Sequence, residues 1–174
     1  MRGPRGFLFV CLTVALATSC AGNVAPAASS GPGTPATSPA ASPAEVAAVS
    51  AVVHRMFDGM RARDTAMMAS VFHREARFYA LNQQGAVNVI VPSTFIQGIA
   101  RARPGVVLDE VIQDVEVRID GPLAIVWTYY DFFAGEQFSH CGYDAYLLLK
   151  ESGAWKIVAL ADSRRQEGCR QRRR

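Results

Sequence analysis

LAIVWTYYDFFAGEQFSHCGYDAYLLLKESGAWKIVALADSRR, residues Leu123 to Arg165, decides the fold of this chain. Three runs rich in Val, Ile, Tyr, Phe, Trp and Leu are separated by Ala134-Gly135-Glu136-Gln137 and by Glu151-Ser152-Gly153. β-Branched and aromatic residues suit a pleated, half-buried surface, and short Gly-bearing spacers join neighbouring antiparallel strands. The stretch therefore reads as a meander of three long strands. Asp120-Gly121-Pro122 turns the chain into it. Ahead of that turn, Val111, Val115, Val117 and Ile119 alternate loosely with Gln113, Asp114, Glu116, Arg118 and Asp120, a fourth, half-buried strand.

Upstream the period changes to that of a helix. Ser42-Pro43-Ala44-Glu45 places Ser at the N-cap, Pro at the first helical position and Glu at the third, a capping box. Val46, Val49, Val53, Met56, Phe57 and Met60 then form one apolar stripe on a helix of about 18 residues. Asp64 caps a second, short helix, Thr65 to Phe72, with Met67, Met68, Val71 and Phe72 inward and His73-Arg74-Glu75 as a solvated turn. Phe78 to Leu81 and Val87 to Val91 read as short strands around a turn at Gln83-Gln84-Gly85. Pro92-Ser93 opens a third helix, Thr94 to Ala102, closed by Pro104-Gly105. Helices first and long antiparallel strands afterwards make an α+β domain with helices on one face of a curved sheet.

The segments MRARDTAMMASVFHREARFYA (60–80) and GAWKIVALADSRR (153–165) carry a resemblance. In the first, Asp64 opens a helix and an apolar run through Phe72 leads to the aromatic strand at Phe78 and Tyr79. In the second, Trp155-Lys156-Ile157 precedes the last strand. Together they resemble the nuclear transport factor 2-like superfamily, with its SnoaL-like cyclases, ketosteroid isomerase and scytalone dehydratase, over roughly residues 45–165. The resemblance implies a cone-shaped α+β barrel with a pocket between sheet and helices, and often a dimer through the sheet. It specifies fold rather than reaction, and it carries no catalytic residue onto a numbered position here.

The two ends of the chain are not part of that domain. Arg2 and Arg5 precede an apolar run from Phe7 to Ala17, followed by Ala17-Thr18-Ser19-Cys20, so residues 1–20 read as a signal peptide. The run is too short to span a bilayer, which needs about 20 apolar residues. Cys20 after two small residues resembles the lipidation site of bacterial lipoproteins, with Ala17 where Leu is usual. The alternative is plain secretion with cleavage near Ala21 or Ala25. Residues 21–42, almost all Ala, Ser, Pro, Gly and Thr, are expected to be a flexible tether. The domain is placed at 43–165 and a basic tail at 166–174, which either touches anionic lipid or is a solvated end.

The formal net charge of +3 belongs to those ends. Residues 45–163 hold ten basic and fourteen acidic side chains, a net of −4, so no basic face awaits nucleic acid. With Cys11 in the signal peptide and Cys20 lipidated, Cys141 and Cys169 remain. In an oxidising compartment two such Cys favour one disulfide pinning the tail to the sheet, against a buried Cys141 with a free Cys169.

Symmetric turns would set Asp131 opposite His140, Tyr129 opposite Gly142 and Trp127 opposite Asp144. A turn centred on Ser152 would set His140 opposite Arg164, Gly142 opposite Asp162 and Asp144 opposite Leu160. One face would then carry Trp127, Tyr129, Asp131, His140, Asp144, Asp162 and Arg164. The other would carry Val126, Cys141, Ala145, Leu147, Ile157, Ala159 and Ala161. A one-residue slip would put the wrong side chains together. On the functional reading His140 is the proton carrier, Asp162 or Asp131 orients it, and Arg164 holds an anionic or carbonyl-bearing ligand. Trp127, Tyr129, Asp144 and Tyr79 would complete a site for a flat ligand. The competing reading is an ion-pair network closing the wide end of the barrel. His54 sits at the edge of the first helix's apolar stripe, near the pocket mouth. His140, Cys141 and Asp144 do not share a strand face, so no metal site is expected. No phosphate loop, nucleophile elbow or His-Glu-x-x-His motif points to a cofactor or hydrolase. Three functions stay open: binding of a small, largely apolar molecule, isomerase, cyclase or dehydratase chemistry, and a protein-interaction module.

Overall fold

The structure, a computed structural model, describes residues 41–81 and 85–172. The expected signal peptide, Cys20 and the tether up to Ala40 lie outside these residues, as do Gln83 and Gln84 of the expected turn. The elements run α1 (Pro43–Ala62), α2 (Thr65–Ser70), β1 (Phe72–Leu81), β2 (Val87–Ile90), α3 (Pro92–Ala100), β3 (Leu108–Asp120), β4 (Leu123–Ala134), β5 (Gln137–Glu151) and β6 (Ala154–Asp162). The strands form one sheet in the order β2-β1-β6-β5-β4-β3, antiparallel except for β1 against β6. The helices pack on one face, giving the expected cone-shaped α+β fold.

Local chemistry explains α1. Ser42 Oγ accepts from the Glu45 N–H at 3.2 Å, and Val49, Val53, Met56, Phe57 and Met60 are buried, as the apolar stripe requires. Asp64 caps α2 through the Met67 N–H at 2.8 Å, but the helix ends at Ser70, short of the expected Phe72. Phe72 instead pairs with Ile157, and the Ile157 N–H donates to the Val71 carbonyl at 2.9 Å. The partner strand takes the backbone that a longer helix would use, so His73-Arg74-Glu75 lies in β1 rather than in a turn. The third helix opens at Pro92, where the sequence places its start, and ends at Ala100, short of the expected Ala102.

The meander forms with different pairing. In the first hairpin Ala134 opposes Gln137 and Phe133 opposes Phe138, but Ser139 is an extra residue, so Phe132 faces His140 and Asp131 faces Cys141. In the second, a two-residue turn at Ser152-Gly153, both with positive φ, and a bulge at Val158 set Asp144 opposite Asp162 and Tyr146 opposite Leu160. The first slip is by one residue and exchanges faces. The second is by two and preserves them. His140, Asp144, Asp162 and Arg164 therefore share the helix-covered face, while Trp127, Tyr129 and Asp131 move to the outer face with Cys141. Val126 and Ile157, expected outside, belong to the core.

Candidate functional site: a cavity in the mouth of the cone

Between the sheet and the helices lies a cavity of about 420 Å³. α1 supplies Met56, Phe57 and Met60, α3 supplies Phe95 and Ile99, and β1 supplies Phe78. The β4 rings of Tyr130 and Phe132 and the β6 side chain of Leu160 complete the apolar wall. The polar lining is concentrated on three strands: Glu110 from β3, Ser139, His140, Asp144 and Tyr146 on β5, and Asp162 on β6, with Arg164 just beyond it.

Asp144 is 2 % exposed, and Tyr146 donates its hydroxyl to it at 3.0 Å. Burial pushes the Asp144 carboxyl up to about 7 against the lowering effect of hydrogen bonds from Glu110 and Tyr146. Glu110 is pushed well above the carboxylate range, first by burial and then by the charge of Asp144, to which it hydrogen-bonds. Two carboxyl groups in contact in an apolar cavity hold a proton between them, here on Glu110. Burial also raises Asp162, with Arg164, 3.9 Å away, opposing it. His140 moves the other way, to about 4, because burial and then the Arg164 charge disfavour its cation. Its Nδ1 meets Ser139 Oγ at 2.9 Å and its ring stacks on Phe132, centroids 4.8 Å apart. The site thus holds a neutral imidazole beside two carboxyls that burial and their mutual contact shift toward the protonated form.

Of the expected site residues, His140, Asp144, Asp162 and Arg164 come together in this cavity. Three do not. Asp131 is fully buried on the outer face, bonded by Tyr129 Oη at 2.9 Å, Gln113 Nε2 at 3.1 Å and the Arg172 N–H at 2.9 Å. Tyr129 is buried beside it, and Trp127 is 46 % exposed, stacked on Tyr143. The cause in each case is the Ser139 bulge. Tyr79 is exposed, and its neighbours Phe78 and Ala80 line the cavity instead, because β1 alternates with the opposite phase. His54 is exposed on α1. Glu110 is the residue that the sequence reading missed. It shares a face with Ile112, but a bulge between Gln113 and Glu116 shifts the phase of β3, so the alternation read from Val115, Val117 and Ile119 would have put it on the other face.

Cys141 and Cys169 form a disulfide, with their Cα atoms 5.7 Å apart. Residues 165–172 accordingly run back across the outer face of the sheet rather than projecting as a solvated end. Among the described residues no group of three or more His, Cys, Asp or Glu is arranged to hold a metal ion.

Comparison with known proteins places this architecture. No curated protein sequence matches the chain. Among solved structures, a nuclear transport factor 2-like protein of unknown function from Shewanella baltica OS155 is 17% identical, with a TM-score of 0.57 over 71% of this chain and 96% of that one. One from Silicibacter pomeroyi DSS-3 is 21% identical, with a TM-score of 0.57 over 70% and 97%. A third, from Cytophaga hutchinsonii ATCC 33406, is 14% identical, with a TM-score of 0.59 over 72% and 100%. At these identities the likeness establishes the fold alone. Residues 44–161 match the family described as "Putative lumazine-binding". The chain belongs to that family, within the nuclear transport factor 2-like superfamily that also holds the SnoaL-like proteins.

Proposed function

We propose that this domain binds a small, flat, largely apolar molecule in the cone cavity, with the carboxyl pair Glu110–Asp144 reading its polar edge. The observation that carries the reading is the cavity itself: about 420 Å³, walled by aromatic and thioether side chains, with its polar groups gathered on three strands and a residue just beyond the last of them. This is the composition of a pocket that buries a hydrophobic body and orients it by a few hydrogen bonds. The carboxyl pair, bonded to each other, offers its outer oxygens as acceptors and the Arg164 guanidinium donates, which suits a heterocycle carrying a carbonyl beside an N–H. The family description makes lumazine the first probe. A thermal-shift screen would set lumazine, flavin-like rings, steroids, polyketide-like enones and fatty acids against the wild type and Ile99→Trp, which fills the cavity. A compound that raises the wild-type Tm and leaves the variant unmoved supports the reading. A cooperative melt unmoved by every class sinks it.

A second reading, proton transfer on the bound ligand, is favoured by the Asp144 carboxyl at about 7 in hydrogen-bond contact with the raised Glu110 carboxyl. The base is then Asp144, with Asp162 behind it, and His140 is a neutral hydrogen-bonding partner rather than an imidazolium. Solvent deuterium entering a bound ketone with the wild type but not with Asp144→Asn is the signature, and equal incorporation by both counts against it.

We also infer an extracytoplasmic domain tethered through Cys20. The short apolar run after Arg2 and Arg5, the small residues before Cys20 and the disulfide support it. Expressed in a bacterium, the chain should fractionate with membranes and Cys20→Ser should not. Equal distribution of the two proteins removes the anchor from the account.

A further inference from the structure

The C-terminal segment is attached to the back of the cavity wall. Arg165 and Cys141 exchange backbone hydrogen bonds, both at 2.9 Å, and the chain then turns over the outer face. Cys169 is bonded to Cys141, the Arg170 N–H donates to Tyr129 Oη at 2.9 Å, and the Arg172 N–H donates to Asp131 at 2.9 Å. The Arg170 guanidinium lies 4.2 Å from the centre of the Tyr129 ring and pairs with Asp114 at 2.5 Å. Asp114, with φ 54°, is the bulge residue at which β3 bends.

Each anchor shares backbone with the cavity lining. Tyr129 and Asp131 flank Tyr130, Asp131 precedes Phe132, Cys141 follows His140, and Asp114 lies four residues past Glu110. Successive side chains of a strand point to opposite faces, so strap and cavity are two sides of one wall. The segment of β3, β4 and β5 carrying Glu110, Phe132 and His140 is the curved end of the sheet, and the strap crosses it from β5 through β4 to β3.

We propose that the Cys141–Cys169 disulfide is a redox latch on this wall: reduced, the strap over residues 166–172 releases, and the wall bearing Glu110, Phe132 and His140 loosens. Cys141 is fully buried and Cys169 is half-exposed, so the accessible sulfur is that of Cys169. A thiolate of an external dithiol attacks Cys169 Sγ, the S–S bond breaks, and Cys141 leaves as a thiolate that takes up a proton. The second thiol of the reductant then closes its own disulfide and frees Cys169. Two electrons and two protons pass to the protein, and the dithiol is oxidised. What still holds the strap is a set of hydrogen bonds and one ion pair whose Asp114 side chain is 62% exposed, contacts that solvent and salt weaken. When the strap leaves, the buried Asp131 carboxylate loses the Arg172 N–H and Tyr129 loses its cover.

The test is hydrogen exchange on the full chain, oxidised and in dithiothreitol, with Cys169→Ser under oxidising conditions as the second arm. The latch predicts exchange at least about tenfold faster at the amides of 110–113, 129–132 and 140–142 in both arms, with α1 and residues 146–149 unchanged. Because the readout is the protein alone, it stands or falls apart from any ligand. Faster exchange confined to 166–172 would mean a tether with no hold on the cavity. Loss of protection throughout, α1 included, would mean a folding staple. Either result overturns the latch.

Discussion

Two buried residues of the cavity set opposite pH dependences. The Asp144 carboxyl is raised from 3.8 to about 7, so between those values the native state holds a proton that the unfolded chain has lost, and stability falls as pH rises. His140 is lowered from 6.5 to about 4, so in that interval the unfolded chain binds the extra proton, and stability rises with pH. Each effect is on the order of 3 kcal/mol, but Glu110 is raised as well and acts in the same direction as Asp144, so between pH 4 and 6.5 the carboxyls outweigh the imidazole. Asp162, raised by burial, adds to the Asp144 side. Urea unfolding across this range should give a stability that declines with rising pH for the wild type, a steeper decline for His140→Gln and a shallower one for Asp144→Asn. Three parallel profiles would show that these environments are wrong. Gly142 tests close packing at the same place. A Cβ there would sit 1.8 Å from the Ser163 carbonyl oxygen, the atom that accepts the Tyr130 hydroxyl at 2.8 Å. Backbone cannot swing aside as a side-chain tip can, so Gly142→Ala should cost about 2–3 kcal/mol, read as a lower urea midpoint with unchanged m-value. A cost within experimental error would mean that the end of β6 is free to move.

At the scale of elements, the fold rests on how α1 is fastened across the sheet. Its first turn carries Glu45, whose carboxylate accepts from Lys150 Nζ at 2.7 Å and Trp155 Nε1 at 2.9 Å, tying the helix to the β5–β6 hairpin. The Ser42 cap holds that turn in register. Ser42→Ala should therefore cost about 1 kcal/mol of global stability. It should also weaken the Glu45 tether, seen as increased Trp155 quenching by iodide. Loss of stability without a change at Trp155 would separate cap from tether. The β-bulges matter as much as the helices. Ser139 alone decides whether His140 faces Asp131 or Phe132, and so whether the imidazole meets a carboxylate or a ring.

For the whole molecule, the uncovered part of the outer sheet is the remaining surface of consequence. Leu123, Ile125, Trp127, Leu147 and Leu149 are 36–46% exposed on one face, next to the strap. A contiguous apolar patch of this kind marks an interaction site, and the matching surface of a second copy is self-complementary under two-fold symmetry. We therefore expect a homodimer through this face. Sedimentation of the wild type should give a dimer and Ile125→Glu with Leu147→Lys a folded monomer. A monomeric wild type at high concentration would assign the patch to another partner.

Much of this was legible in the residues because it depends on local rules. The caps at Ser42 and Asp64, the buried stripe of α1, the two Gly-bearing turns and the period of the meander need only neighbours along the chain, and together they determined an α+β domain; the cone itself came with the family resemblance. The pairing of Cys141 with Cys169 followed from there being two Cys left. Tertiary structure alone decided which residues meet. Side chains alternate with a period of two, so one extra residue at Ser139 exchanged the faces of Trp127, Tyr129 and Asp131, and nothing in the local sequence distinguishes a bulge from regular strand there. Glu110 entered the cavity, and Phe72 left its helix for β1, for a similar reason: the partners that place them, Asp144 and Ile157, lie far along the chain and become neighbours only in the folded sheet.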